Sequence, residues 1–134
     1  MISPESLVFT NVANALKAEI TGYSIYSEYT EVPAKFPAIT VVESNNTVLK
    51  KMRSLKIENA VSLTYEVNIY SNAVGGNKKV EVKKIQDIVD RAFESMGFTR
   101  TACNPMENLQ DTTIYRLYSR YEGVADKEFR IYTN

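Results

Sequence analysis

Between Val61 and Tyr70 apolar and polar side chains take turns, with Val61, Leu63, Tyr65, Val67 and Ile69 on one parity and Ser62, Thr64, Glu66, Asn68 and Tyr70 on the other. A period of two is that of a strand with one buried face, so the odd positions are expected to pack a core. Further on the period changes. Val82, Ile85, Ile88, Val89, Ala92, Phe93 and Met96 fall on one helical stripe opposite Lys83, Asp87, Asp90 and Glu94, and Gly97 follows as a C-terminal cap. A second helix is expected near the start. There Ser3 precedes Pro4 and Glu5 as a capping signal, Phe9, Val12, Ala13, Leu16 and Ile20 form the stripe, and Gly22 is placed to end it.

The remaining elements are shorter. Ser24 to Val32 and Phe36 to Glu43 read as two strands broken by Pro33 and bounded by Pro37, a hairpin or a bent edge. The pattern is lost from Ser44 to Asn59, a polar and basic stretch read as a long loop or an extended arm. After the strand at 61–70, the turn NAVGGN leads into the long helix with Asn77 as its cap; strands are then expected over Phe98 to Asn104, Thr112 to Gly123 and Phe129 to Tyr132. The order helix, strand, strand, long loop, strand, helix and three strands gives one α+β domain over residues 1–134. Its sheet of about four to six strands is expected to be largely antiparallel, with a mixed pair allowed, and to carry two amphipathic helices on one face.

Composition narrows function mainly by exclusion. A chain of 134 residues can bury one real core. Lysine plus arginine and aspartate plus glutamate number 16 each, so no net field draws the chain toward nucleic acid or an anionic membrane. Cys103 is the only cysteine and histidine is absent, which removes intrachain disulfides, cysteine clusters, Ser-His and Cys-His pairs and histidine metal sites. No basic leader or bilayer-length apolar run is evident, and the expectation is a soluble intracellular product. The acids on the long helix have the spacing of a solvated face, and Gly75-Gly76 belongs to no phosphate-binding motif. No catalytic residue, cofactor, metal ligand or small-molecule substrate is assigned, and the chain is not expected to be an enzyme.

Two features point outward. The stretch TTIYRLYSRYEG, Thr112 to Gly123, puts Ile114, Arg116, Tyr118 and Arg120 on one parity, which is not a plain solvent face. Tyrosine is abundant, nine against five phenylalanines and no tryptophan, and a ring with a polar tip suits a surface that is buried when a partner arrives. With Tyr70 on the polar parity of its own strand and Tyr26 and Tyr132 in further strands, the uncovered sheet face reads as a tyrosine and arginine platform for protein contact. Its interface set is Tyr70, Arg116, Tyr118, Arg120 and Tyr132. The plainer reading is a sheet surface with cross-strand Tyr–Arg packing. The second feature is the basic loop, where Lys50, Lys51, Arg53 and Lys56 could meet phosphate or an acidic protein, or simply keep the loop solvated.

The segments FPAITVVESNN, the basic loop, LTYEVNIYSN, a helix ending in ESMGF, and TIYRLYSRYEG followed by a last strand resemble the tail-terminator and head–tail joining proteins of tailed bacteriophages and phage-tail-like particles. The resemblance runs from about Pro33 to Tyr132 and rests on loose patterns. It implies a structural virion protein of the tail or neck, assembled in the host cytoplasm as a homo-oligomeric ring, commonly a hexamer. Such a ring caps the tail tube, ends tube polymerisation and offers a surface to the head connector, with DNA passing only through its lumen. It would assign Arg116, Tyr118 and Arg120 to a subunit contact, and the loop of Lys50, Lys51, Arg53 and Lys56 to the tube protein. The alternatives are a connector adaptor or stopper of the neck and, in a different class, a small nucleic-acid-binding domain using the basic loop.

Overall fold

The computed structural model describes residues 1–29, 33, 35–49, 60–74, 76–107 and 113–132. Chain order is α1 (Glu5–Glu19), β1 (Ser24–Tyr26), β2 (Ala38–Val48), β3 (Ala60–Ser71), α2 (Lys78–Met96), β4 (Thr99–Met106), β5 (Tyr115–Asp126) and β6 (Ile131–Tyr132). The strands form one sheet in the spatial order β1-β2-β3-β5-β4, with β6 pairing β5 beyond the end of β4. Every pairing is antiparallel except β1 with β2. The fold is α+β, with the helices packed on one face. No described helix is long and apolar enough to cross a membrane.

The alternation at 61–70 is what sets the layers. In β3 the odd positions Val61, Leu63, Tyr65, Val67 and Ile69 join Leu117, Tyr121 and Ala125 of β5 and Val8, Val12 and Leu16 of α1 in one buried cluster with the apolar stripe of α2. The helix α2 leaves β3 and returns the chain as β4, and β5 then enters between them, so that β3 and β4 flank a strand that follows both. At the centre, Phe93 stacks on Tyr121 with ring centroids 4.2 Å apart and planes within 6°. Phe98 meets Phe93 and Tyr65 edge-on at 5.4 Å and 5.3 Å. Aromatic pairs of this kind contribute about 0.5–1.5 kcal/mol each beyond their buried area.

Buried hydroxyls need partners, and these have them. Tyr121 Oη accepts from Gln86 Nε2 at 2.8 Å and donates to Asp90 Oδ1 at 2.9 Å; Tyr65 Oη donates to Glu43 Oε1 at 2.9 Å. Burial first, and then the neighbouring carboxylate, pushes both phenols far above the ordinary tyrosine range, so each is a permanent donor. Asp90, expected on a solvated helical face, is thus tied to the core and also accepts from Arg100 at 3.2 Å.

Several expected boundaries move, for physical reasons. Pro4 itself occupies the cap position of α1, and no side chain there bonds the free N–H groups; the Ser3 cap is not made. Asn77 does precede α2, again without a side-chain cap bond. The first strand stops at Tyr26 and runs parallel to β2, so the pair is neither a hairpin nor a long bent edge. β2 continues to Val48 through the SNNT run read as loop. There its partner is β3 alone, a bulge follows Glu43, and the polar side chains bond out: Asn46 Nδ2 to the Ile2 carbonyl at 2.9 Å and Ser44 Oγ to that of Thr64 at 3.4 Å. The helix α1 ends at Glu19 with Ile20 already extended, and Gly22, at φ +72°, turns the chain afterwards.

Gly97 caps α2 as expected, at φ +104°, with its N–H bonded to Glu94 O and that of Phe98 to Phe93 O. A second reason for glycine is close approach: a Cβ there would lie 2.5 Å from the carbonyl oxygen of Ile131. Gly97→Ala is therefore expected to combine a strained backbone with a clash and to lower stability by about 1–3 kcal/mol or more, measured by urea unfolding. A change within a few tenths of a kcal/mol would mean that β6 does not hold to the helix end.

Candidate interaction face

Strand pairing sets the second face of the sheet. Arg116 lies opposite Tyr70 and Met106, Tyr118 opposite Asn68 and Asn104, and Arg120 opposite Glu66 and Ala102. Side chains this close on one face interact directly or on the diagonal. Arg116 Nε–H donates to Asn68 Oδ1 at 2.8 Å, Tyr118 O–H to Glu66 Oε1 at 2.7 Å, and Arg120 Nε–H to Thr101 Oγ1 at 2.9 Å. Arg120 Nε is also 3.6 Å from Glu122 Oε2. Partial burial, followed by the bond to Glu66, raises the Tyr118 phenol and keeps its proton in place. The unusual parity of TTIYRLYSRYEG is thus a ladder of polar cross-strand pairs.

The ladder has two unlike ends. At one end Ala38, Tyr70 and Ile114 are buried together, with Tyr26 and Phe36 packed against them. The Arg116 guanidinium stands 5.6 Å from the Tyr29 ring centre and 5.7 Å from that of Tyr70, within cation–π range. Tyr70, expected in the interface set, has no exposed surface at all. The parallel β1–β2 pairing is the cause, because it brings Tyr26 and the described residues Tyr29 and Phe36 of the connection across that end. Thr40 is sealed there as well, and its Oγ1 has no hydrogen-bond partner. The other end is open, with Arg120 keeping 43% of its side-chain surface and Glu122 exposed, and so is the β4 border, where Asn104 is exposed and Met106, opposite Arg116, is 44% exposed. Met106 lies just past the strand expected over Phe98 to Asn104, and no apolar alternation marks it in the sequence.

Tyr132 pairs with Val124 and so shares this face, at its far end beyond Glu122. It belongs to a tight C-terminal hairpin organised by one carboxylate. Asp126 Oδ1 accepts from the backbone N–H groups of Glu128 and Arg130 at 2.9 Å and 3.0 Å; Oδ2 accepts from Arg130 Nε–H and Tyr132 O–H, both at 2.8 Å. Desolvation pushes the carboxyl up, but these hydrogen bonds outweigh it and hold Asp126 at about 2. The hairpin forces Phe129 to φ +60°, a left-handed conformation that a bulky residue rarely adopts, and leaves it 43% exposed. The pattern predicts Phe129 inside a strand, whereas it lies in this turn, and Asp126, two and four residues before Glu128 and Arg130, is the turn-forming position.

Tyrosine abundance turns out to serve two purposes, because Tyr65, Tyr70 and Tyr121 are among the largest fully buried side chains. The basic residues Lys50, Lys51, Arg53 and Lys56 lie outside the described residues. Among the described residues no group of three or more cysteines and acids is arranged to hold a metal ion. A small cleft of about 220 Å³ gathers Asp90, Glu94, Arg100 and Tyr121, but Asp90 is already engaged by Tyr121 and Arg100. No protein-family model matches the chain, and no curated protein is significantly similar to it.

The Asp126 carboxylate gives a pH signature. Its folded value lies below the ordinary 3.8, so its contribution is complete above that pH and is lost as pH falls through about 2. Asp126→Asn should be less stable than the parent at pH 7, and the gap should close between about pH 4 and pH 2 in urea unfolding. A gap that stays constant down to pH 2 would show that the charge is not what holds the hairpin.

Proposed function

We propose that this chain is a structural assembly subunit, a protomer of a homo-oligomeric ring of the tail-terminator kind that caps a tail tube and presents a head-joining surface. The observation that carries the reading is the open part of the second sheet face, where Arg120, Glu122 and, along the β4 border, Asn104 and Met106 lie uncovered while the Tyr118 hydroxyl and the Arg120 Nε–H already have hydrogen-bond partners. Burying a charged or polar group costs most when it arrives unpaired. A face whose Tyr118 hydroxyl and Arg120 Nε–H are paired within its own sheet is partly ordered before contact, and the remaining guanidinium N–H groups of Arg120 are left to meet a partner's acceptors. Met106 and Tyr132 add apolar surface at either end of it.

Self-association through this face closes most simply as a ring, which gives each copy the same partner and leaves no growing end. The hexamer, the tail tube and the head connector as partners, DNA only as cargo through the lumen, and residence in a virion or tail-like particle all come from the sequence resemblance. So does the assignment of Lys50, Lys51, Arg53 and Lys56 to the tube. Arg116 and Tyr70 contribute indirectly, by fixing the closed end of the ladder.

The test uses residues whose removal leaves the fold intact. Arg116 is a poor choice because it is wedged against Tyr29, Tyr70 and Asn68; Arg120→Glu with Met106→Glu changes exposed side chains only. The double variant should unfold within about 1 kcal/mol of the parent, yet sediment as monomer where the parent forms rings and fail to cap added tail tubes. A parent that stays monomeric at high concentration and with tubes present would end the ring reading. Rings that bind portal complexes but not tubes would favour an adaptor or stopper.

A further inference from the structure

The first two turns of α2 carry four lysines around an exposed valine, and we propose that they form a docking surface for an acidic segment of a partner protein, one that meets the lysines with carboxylates and the valine with an aliphatic side chain. The helix α2 lies on the opposite side of the sheet from the polar ladder, so the proposal is independent of the ring reading.

Within KKVEVKK, Lys78, Lys79, Lys83 and Lys84 stand against a single acid, Glu81. None of the four makes an ion pair among the described residues. Glu81 accepts from Ser71 Oγ–H at 2.8 Å, which draws it to the end of β3, and Glu19 of α1, the other acid beside Lys84, is held by Arg91 at 3.1 Å. Asp87 follows four residues after Lys83 and forms no ion pair with it. In a chain whose charges sum to zero, this leaves a local excess of positive charge at one end of one helix.

That excess sits where a helix tolerates it least. Aligned peptide dipoles make the start of a helix positive and its end negative, so acids favour the start and lysines the end. The order in α2 is the reverse, with Lys78 and Lys79 in the first turn, no basic residue in the last turn and Glu94 near the end. Lys79 and Lys83, one turn apart, also repel each other. No side chain of Asn77 caps the free N–H groups that precede them. An arrangement that costs local stability and has no partner inside the molecule is accounted for by a partner outside it.

Apolar surface accompanies the charge. Val74 and Val80 are 84% and 70% exposed, and apart from Met1 no large apolar side chain among the described residues is more so. Val74 borders an open recess of about 750 Å³ together with Lys78, Lys79 and Tyr115, and the buried Tyr115 hydroxyl has no hydrogen-bond partner. A carboxylate seated in that recess lies beside both lysines and is the acceptor that the hydroxyl lacks. Valines set among cations suit a protein better than a nucleic acid. From Lys78 to Lys84 the helix rises only about 10 Å, room for few phosphates, and no aromatic ring stands among these lysines to stack on a base.

The experiment titrates the full chain into a fluorescein-labelled peptide of about twelve residues, made of aspartate, glutamate and leucine, in about 50 mM salt, and follows anisotropy. The parent is expected to bind. Lys79→Glu should weaken binding at least about tenfold and yet leave the melting temperature unchanged or higher, because it puts an acid in the first turn and a glutamate four residues before Lys83. A merely solvated helix face would show that gain in stability with no loss of binding. Val80→Ser should weaken the leucine peptide but not a version with serine in place of leucine, and Lys127→Glu, on the C-terminal hairpin, should bind like the parent. Lack of binding by the parent, or equal losses for Lys79→Glu and Lys127→Glu, would overturn the proposal. So would a DNA duplex of about 20 base pairs that binds more tightly than the peptide and is insensitive to Val80→Ser, which would make the lysines a phosphate contact. Lys79→Glu is expected to assemble as the parent does, so lost peptide binding with assembly unchanged separates this surface from the ring face.

Discussion

A phenol buried at the centre of a protein must find a partner for its hydroxyl, and the way Tyr121 meets that need organises the molecule. Its ring lies flat on Phe93 of α2, while its oxygen is clamped between Gln86 and Asp90 of the same helix. Central strand and long helix are therefore joined by dispersion and by directional bonds at one residue. The apolar contacts would tolerate a small slide of the helix along the sheet; the hydrogen bonds would not. Because β5 also carries the outward-facing ladder on its other parity, the same anchoring fixes where Tyr118 and Arg120 stand on the far side of the sheet.

That double duty explains what could be read from the chain and what could not. The strand at 61–70 and the helix 82–96 were legible because each has one buried face, so the period of the pattern and the burial agree. β2 beyond Glu43 was illegible because its polar side chains are exposed or bonded to nearby backbone, and no apolar parity marks it. The parallel β1–β2 pairing was missed because three residues carry no signal of direction. From that miss follows the error over Tyr70: its parity was read correctly, but a face not covered by helices was taken as a face not covered at all.

The candidate site shows the same division. Arg116, Tyr118, Arg120 and Tyr132 do lie on one face, as alternation required, since paired strands keep partners on the same side. What alternation cannot tell is how such groups are satisfied, and here they bond mostly across strands. The hairpin at 126–132 escaped notice for a different reason. Its conformation comes from one carboxylate collecting donors over a few residues, an arrangement with no periodicity, and the side chain it strains is an ordinary aromatic in the sequence.

The spatial order of the sheet carries a consequence for synthesis. β5 lies between two strands that leave the ribosome earlier, so until residues 115–126 are made, β3 has one edge with unpaired backbone groups, β4 has no sheet partner, and the aromatic cluster lacks its flat partner. Folding of the sheet must wait for residues near Asp126 to emerge, which makes its completion late and dominated by distant contacts. In that interval the open strand borders and the half-filled core are available to any neighbour.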